Sequence, residues 1–411
     1  MSINNETIER IIRNQALLTQ LILFNLALTS LIIRVLLSPI DGYYIDLGCF
    51  RSWFYTAAEY GIREFYQRIW CDYPPFNIFI FWVFGSLAKY LSLFGSPSLI
   101  YIIKLPSNLF DLATSYLIFR YLRRKIDDKW ALMAATFYMF NPSAIFNSSI
   151  WGQYDAIYTF FIVLSLTAIL DLRVKLSLVS YALAVLTKPQ AVAFFPILLL
   201  FVLSKFDLKG IVTAFVSFLS TVVAVILPFR WSDPVSFIFN IYFGGYGQYR
   251  YTSLNALNLW ALIGMNMQDT RQILPYLNYH TVGWILFAAA VIHILHHTKT
   301  DEKSISYSTF LAFFSFFMLL TRMHERYLFP AIALSLLALI YSRKLLPISI
   351  VITFTSLFNQ AYALKFLNQK MFIPPADPLV YIFSSLNLFV FIYCYYLFVK
   401  RGNQILTGEE P

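Results

Sequence analysis

Charged residues are scarce in this chain. Only 13% of its 411 residues are Asp, Glu, Lys or Arg, and 59% are hydrophobic, whereas soluble globular proteins average about 25% charged and about 45 to 50% apolar residues. The composition therefore excludes an ordinary soluble protein and predicts lipid as the solvent. Apolar stretches close to the roughly 20 residues that cross a bilayer as a helix recur along the chain. Examples are 16–37, 211–227, 304–320 and 379–399.

Cysteines and linker-like segments are also few. The three cysteines, Cys49, Cys71 and Cys394, show no CxxC spacing, so the sequence predicts neither a metal site nor a redox centre. Cys49 and Cys71 could form a disulfide in an oxidising compartment, and the sequence leaves this open. No low-complexity segment divides the chain, and we expect residues 1–411 to form one membrane domain.

The chain carries a net charge of +10, which raises the question of nucleic-acid binding. Its Lys and Arg residues lie in short loops and form no long basic face with interleaved aromatic residues, so no nucleic-acid partner is predicted. Such loops are typical of the cytoplasmic side of membrane proteins. The most basic is Arg120–Lys125. The others hold Arg173 and Lys175, Lys205 and Lys209, Lys299 and Lys303, Arg343 and Lys344, and Lys400 and Arg401.

The topology depends on two apolar stretches at 76–94 and 99–119. All of the basic loops fall on one side if 76–94 lies along the outer membrane surface as a juxtamembrane helix and only 99–119 spans. This arrangement predicts an all-α multi-pass protein with about twelve transmembrane helices and both termini in the cytoplasm. It also predicts two large outer loops with interfacial helices, at about 40–100 and 228–280.

Three acids lie in motifs on the predicted outer side. Asp46 follows the first apolar stretch, Asp72 precedes a double proline, and Asp155 ends a segment that begins with Trp151 and contains Gln153. A carboxylate at the membrane surface could act as a general base toward a sugar acceptor, and indole next to carboxylate is common in sugar sites. A solvated loop acid for Asp46 and helix-start roles for Asp72 and Asp155 stay open as structural alternatives.

Basic residues accumulate in two further outer motifs. Arg322, His324, Glu325 and Arg326 form a cluster between two strongly apolar segments, where ionisable residues are functional candidates. Arginine can hold phosphate oxygens by charge-assisted bonds and stabilise a phosphate leaving group. The second basic motif contains Lys188 and, two residues later, Gln190. Asn255, in the late outer loop, is a further candidate binding residue. Asp111 is an isolated acid with no visible partner.

Taken in order, six motifs resemble bacterial members of the GT-C glycosyltransferase superfamily over roughly residues 41–330. They are Asp46-x-x-x-Phe50-x-x-Trp53, Cys71-Asp-Tyr-Pro-Pro, Trp151-Gly-Gln-x-Asp155, Thr187-Lys-Pro-Gln190, Asn255-Ala-Leu-Asn-Leu-Trp260 and Arg322-Met-His-Glu-Arg-Tyr327. Protein O-mannosyltransferases and dolichyl-phosphate-glucose-dependent enzymes are looser relatives.

The resemblance implies inverting hexose transfer, from a polyprenyl-phosphate donor to an acceptor hydroxyl, on the extracytoplasmic face of the cell (inner) membrane. It makes Asp46 the base. It also implies that Arg322, His324 and Arg326 face the donor phosphate and that Asp155 helps to bind donor or acceptor. From its residue type, Lys188 is expected to be a second phosphate contact or the anchor of a helix end. The expected sugar or acceptor contacts are completed by Asp72, Trp151, Gln153, Gln190, Asn255 and Glu325. Asp155 stands alone where some relatives have a metal-binding DxD, so no metal or other cofactor is expected.

Two other functions fit parts of the pattern. A transporter or flippase of lipid-linked sugars would also combine many helices with a few membrane-facing charges, although transporter sites usually lie near the midplane between repeats. A polymerase or ligase would use a similar lipid donor. The sugar, with mannose and glucose as leading candidates, and the acceptor, whether glycolipid, glycan or protein, cannot be read from the sequence.

Overall fold

The computed structural model describes the backbone of residues 5–230 and 232–406 and the side chains of 17–230, 232–245 and 247–400. The fold is mostly helical, at 76%. The helices are α1 (Asn5–Leu37), α2 (Tyr44–Arg68), α3 (Pro75–Tyr90), α4 (Leu99–Leu122), α5 (Asp128–Met139), α6 (Pro142–Ile145), α7 (Asp155–Leu170), α8 (Val174–Val185), α9 (Phe195–Lys205), α10 (Leu208–Arg230), α11 (Pro234–Tyr246), α12 (Leu259–Gly264), α13 (Tyr279–His297), α14 (Glu302–Leu319), α15 (Phe329–Leu337), α16 (Leu345–Asn368) and α17 (Pro378–Leu406).

Short irregular elements complete the fold. A π-helical turn, Phe146–Trp151, follows α6, and 3₁₀ turns cover Pro189–Phe194 and Ala338–Ile340. The strands β1 (Gln272–Leu274) and β2 (Leu277–Asn278) pair antiparallel in a small hairpin.

Within the described part of the chain, five helical segments are long and apolar enough to cross a membrane: Leu17–Leu37, Leu208–Arg230, Tyr279–His297, Leu345–Asn368 and Pro378–Lys400. Four shorter apolar helices accompany them. These features fit the predicted all-α membrane protein. The count of about twelve spans stays a prediction, and the locations predicted for the two chain ends and for the Arg401 side chain concern residues outside the described part.

Helix environments differ in the way that a membrane bundle requires. Every residue from Ser304 to Leu319 of α14 is buried, so this helix lies inside the bundle. In α10, by contrast, Val212, Phe215 and Leu219 are among many exposed apolar residues. A stripe of large apolar side chains on a helix of this length is stable against lipid and not against water.

The basic loops meet at one end of the bundle. Arg124 Nη2 lies 2.9 Å from Asp171 Oδ2, and Lys125 Nζ lies 2.6 Å from Glu302 Oε2. Arg343 Nη2 lies 3.1 Å from Asp127 Oδ2 at the same end. The acidic and basic motifs described above collect at the other end, because Asp155 begins α7 and Asp171 follows its last residue. The assignment of all the basic loops to one side of the membrane stays a prediction.

The segment predicted to be the first outer loop contains two helices, α2 and α3, whereas the sequence pattern predicted one at 76–94. Helix α3 covers most of that stretch and packs on α2. Asp46 therefore lies in the first turn of α2 and not in an irregular solvated loop. No proline occurs from Tyr44 to Tyr73, so none interrupts α2. The double proline that follows Tyr73 then starts α3 at Pro75.

Asp111, for which the sequence shows no partner, forms a buried ion pair with Arg34. Arg34 Nη1 lies 2.7 Å from Asp111 Oδ2, and both side chains are fully buried. Ser148 Oγ donates to the same oxygen at 2.7 Å and Tyr138 OH donates to Oδ1 at 3.2 Å. The pair joins α1, α4, α5 and the π turn, because a buried charge in an apolar bundle is stable only when it is paired and hydrogen-bonded.

Asp111→Ala should destabilise the bundle by about 3–5 kcal/mol, because it leaves the Arg34 guanidinium buried without its counter-charge. The thermal unfolding midpoint of the purified protein in detergent measures this loss. Glu302→Gln, which removes a partner of the half-exposed pair with Lys125, is the control and should change the midpoint far less. Equal shifts in the two variants would contradict the assignment.

Candidate active site

The site is built around an elbow between the π turn and α7. Gly152 ends the π turn in the left-handed region, with φ of +85°, where glycine is strongly favoured. The backbone N–H groups of Gly152 and Gln153 both donate to Asn147 O, at 3.0 and 2.9 Å. Lys104 Nζ donates to the carbonyl oxygens of Ile40 and Ile150, so a buried ammonium ties the end of α1 to the elbow.

Gly42 lets the start of α2 approach this elbow. A Cβ atom at residue 42 would lie 2.2 Å from the carbonyl oxygen of Trp151, which is far closer than any real contact. The close approach brings Asp46, one turn further on, against the elbow.

Asp46 is held through only one of its two carboxylate oxygens. Trp151 Nε1 and Gln153 Nε2 donate to Asp46 Oδ2 at 2.9 and 2.6 Å. No described residue donates to Asp46 Oδ1, and the side chain is half-buried. Tyr73 OH donates to Gln153 Oε1 at 3.3 Å, which directs the Gln153 amide N–H toward the carboxylate. The arrangement orients the carboxylate and leaves one acceptor oxygen available.

Burial raises the pKa of Asp46, and the positive charge of Arg326 and the hydrogen bond from Trp151 oppose that rise. The net direction is upward. A carboxylate with a raised pKa is a stronger base than an ordinary aspartate, which suits proton abstraction near neutral pH.

Asp155 is the second acid of the site and is fully buried at the start of α7. Lys188 Nζ lies 2.7 Å from Asp155 Oδ1, and Asn147 Nδ2 donates to Oδ2 at 3.2 Å. Arg326 Nε lies 3.6 Å from the same Oδ2. Asp155 thus acts as a counter-charge for two cations from distant segments, and its side chain does not cap α7.

The late motif places an arginine between two acids. Arg326 Nη1 donates to Glu325 Oε1 at 2.5 Å, and the partly buried Arg326 side chain faces the Trp151 ring, with Cζ 6.0 Å from its centroid. Burial acts to raise the pKa of Glu325, but the charges of Arg326 and His324 outweigh it and lower that pKa to about 2. Both members of the Glu325 and Arg326 pair are therefore charged at neutral pH.

Arg322 lies apart from this cluster. Its Nε donates to Asp269 Oδ2 at 2.7 Å, and its backbone N–H donates to Tyr251 O. Arg322 has φ of +63°, and with Asp269 it ties the late outer loop to the basic motif. His280 Nδ1 lies 3.3 Å from the same Asp269 oxygen.

The remaining predicted residues border the cluster. Asp72 is exposed next to Tyr73. The backbone of Asn255 forms a short bridge with His324, while its side-chain Oδ1 is buried without a hydrogen-bond partner. Gln190 Oε1 is likewise buried without one, two residues after Lys188. Cys49 and Cys71 are free thiols.

Sequence reasoning missed several residues that position this site. Asn147 and Asp269 lie outside the six motifs, and Tyr73 occurs in one of them without a role of its own. No spacing identifies Tyr73 or Asp269 as positioning residues, since their partners Gln153 and Arg322 are 80 and 53 residues away. A signal did exist for Lys104. It lies inside an apolar stretch, where an ionisable side chain is a functional candidate by default.

The described side chains contain no group of three or more His, Cys, Asp and Glu residues that could hold a metal ion. The two innermost carboxylates, Asp155 and Glu325, are already paired with Lys188 and Arg326. The oxygens of these two carboxylates therefore belong to an ion-pair network.

Comparison with known proteins gives one family match. Residues 70–321, more than half of the chain, match the family described as glycosyltransferase family 87. The chain belongs to glycosyltransferase family 87. This is a family of GT-C-type membrane glycosyltransferases, so the resemblance drawn from the six motifs is confirmed. No curated protein matches the chain.

The family 87 match includes Trp151, Asp155 and Lys188, but two other parts of the site lie outside the matched range. Asp46 precedes the matched range and Arg326 follows it. The structure connects both to the matched region, because Asp46 bonds to Trp151 and Arg326 approaches Asp155. The site of this family 87 protein is therefore assembled from the matched segment together with its two flanks.

Gly42→Ala should abolish or strongly reduce sugar transfer, because its Cβ would push the Trp151 carbonyl away and separate Trp151 from Asp46. Gly48→Ala is the matched control in α2, since a Cβ atom there meets nothing within 4 Å. Transfer rates and thermal midpoints of both variants measure the effect. Full activity in Gly42→Ala would show that the close approach is dispensable.

Proposed function

We propose that this family 87 protein transfers a hexose from a polyprenyl-phosphate donor to an acceptor hydroxyl, with inversion of the anomeric centre. The observation that carries the proposal is the state of Asp46. One carboxylate oxygen is held by Trp151 and Gln153, and the other has no donor among the described residues.

Asp46 serves as the general base. The acceptor hydroxyl donates to Asp46 Oδ1 and attacks the anomeric carbon from the face opposite the phosphate. A bond forms between the acceptor oxygen and this carbon as the bond from the carbon to the phosphate oxygen breaks, and the hydroxyl proton passes to Asp46. A positioned base of this kind contributes about 10²- to 10⁴-fold to rate.

Arg326 stabilises the leaving group. The donor phosphate is a diester with one negative charge and leaves as a monoester with a second charge developing, so a nearby cation binds the transition state more tightly than the ground state. Arg326 Nη1 is taken by Glu325, and no described residue accepts from Nη2. We assign this free N–H group to the phosphate, with His324 beside it.

The other predicted phosphate residues support this contact indirectly. Lys188 neutralises Asp155, which in turn holds Arg326, and Arg322 holds the late loop through Asp269. In this proposal the sugar hydroxyls bind to polar groups that border the cluster, among them Asp72, Gln190 and Asn255. Mannose and glucose remain the proposed sugars, and a glycolipid, glycan or protein the acceptor.

The mechanism requires no metal ion. In this proposal the charge of the phosphate is met by Arg326, and the acids nearest to it are already compensated by protein cations. The site is assigned to the extracytoplasmic face of the cell (inner) membrane because the basic loops lie at the opposite end of the bundle and such loops favour the cytoplasm.

Asp46→Asn should lower transfer by about 10²- to 10⁴-fold while leaving the fold intact, since the amide is isosteric and cannot accept the proton. The assay uses purified protein in liposomes with radiolabelled polyprenyl-phosphate mannose or glucose over native lipid extract, with EDTA or Mg²⁺. Labelled product and released polyprenyl phosphate are measured. The wild-type rate is expected to be equal with EDTA and with Mg²⁺.

Asp41→Asn is the matched control, because Asp41 is an exposed acid five residues earlier, and it should keep near-normal activity. An Asp46→Asn enzyme as active as wild type would rule out the base. Absence of turnover of either donor by folded wild-type protein would instead favour movement or polymerisation of lipid-linked glycans.

The pH profile provides a separate test. A base works only when deprotonated, so transfer should fall as pH decreases through the pKa of Asp46, and this acidic limb should lie above the ordinary value of 3.8 because burial raises that pKa. Trp151→Phe removes a hydrogen bond that favours the charged carboxylate, so the limb should move to still higher pH. Trp70→Phe, at an exposed indole, is the control. A limb that stays fixed or moves downward in Trp151→Phe would refute the assignment.

A further inference from the structure

The cations of the Arg120–Lys125 loop fall into two pairs with different surroundings. Arg124 and Lys125 are neutralised by Asp171 and Glu302. Neither Arg120 nor Arg123 has an acidic partner among the described residues. The second pair therefore carries charge that the described protein does not compensate.

These two arginines line a groove with an apolar wall. A cavity of about 310 Å³ opens between α1, α4 and α5, and its wall includes Leu23, Phe24 and Leu112 as well as Arg120 and Arg123. Leu112 and Arg120 are eight residues apart on α4, which is about 12 Å along the helix axis. The groove thus runs from the arginines toward the interior of the apolar zone.

Arg123 also lines a second, polar depression of about 400 Å³ at the surface. The other charged residues that line it, Arg124, Lys125, Arg343 and Asp127, are all in ion pairs, so the uncompensated charge there comes from Arg123. An apolar groove that opens into a polar depression at Arg123 matches an amphiphile with an acyl chain and an anionic head. The volume of the groove falls within the range of small-ligand sites, about 300–1,000 Å³.

We propose that this groove binds an anionic phospholipid, with its phosphate at Arg120 and Arg123 and an acyl chain along Leu23, Phe24 and Leu112. The guanidinium groups meet the phosphate by charge-assisted bonds. The basic loops place this end of the bundle at the leaflet where anionic lipids attract such clusters. The site lies at the end of the bundle opposite to Asp46 and does not depend on the proposed transfer reaction.

Native mass spectrometry of the delipidated full-length protein in detergent, titrated with phosphatidylglycerol and with phosphatidylethanolamine, tests the proposal. Wild type should prefer phosphatidylglycerol. The double variant Arg120→Gln and Arg123→Gln should bind it about thirtyfold more weakly, as expected when two near-surface cations are lost. Arg124→Gln, which removes the same kind of charge from the same loop, should bind nearly as wild type.

Ala27→Phe tests the apolar part without changing charge. Ala27 is a half-buried wall residue of α1, so the larger ring should fill the groove and also weaken binding, by about tenfold if about 1.4 kcal/mol of acyl-chain contact is lost. It serves as the second variant if the double arginine variant fails to fold.

Three outcomes would overturn the proposal. Equal weakening in Arg124→Gln and in the double variant would show general electrostatic attraction. Unchanged affinity in Ala27→Phe would remove the groove from the site. Displacement of the lipid by equimolar glycerol 1-phosphate would show that the arginines take a free phosphate and need no acyl chain.

Discussion

The buried carboxylate of Asp155 is the centre on which this site depends. Asp155 is fully buried, and it is stable there because Lys188 and Arg326 supply opposite charge and Asn147 donates a hydrogen bond. Removal of one member of such a set leaves a buried charge uncompensated, which costs several kcal/mol. The network therefore requires three segments to meet at one end of the bundle. They are the start of α7, the turn after α8 and the segment before α15.

The position of Asp46 follows from that meeting. The π turn before Asp155 ends at Gly152 and presents Trp151 and Gln153, whose N–H groups both donate to one Asp46 oxygen. A rigid carboxylate with one free oxygen is more useful to a transferase than a mobile one, because its orientation requires no reorganisation during reaction. The elbow that leads into Asp155 therefore also positions the Asp46 carboxylate.

The two ends of the bundle use charge in different ways. At the site end, Lys188 is buried, Arg322 and Arg326 are partly buried, and each of the three is matched to an acid. At the other end, several cations are exposed, and Arg120 and Arg123 lack acidic partners among the described residues. Unmatched charge beside an apolar groove suits a ligand that brings its own anion and hydrocarbon, whereas matched charge suits the binding and departure of a phosphate.

The sequence by itself was sufficient for the membrane class and the superfamily. Both depend on local properties: apolar length and motif order. Trp151, Gln153, Asp155 and Arg326 were also singled out, because their motifs stand out from an apolar background, and their roles in transfer stay predictions.

Only the tertiary structure decided how those residues act. Lys188 and Arg322 have the same charge as Arg326, yet Lys188 neutralises Asp155 and Arg322 bonds to Asp269. Asp111, without a visible partner in the sequence, pairs with Arg34 across 77 residues. Side-chain pairing of this kind depends on which helices are neighbours, and helix neighbours are set by packing throughout the bundle, which no local pattern in the chain encodes.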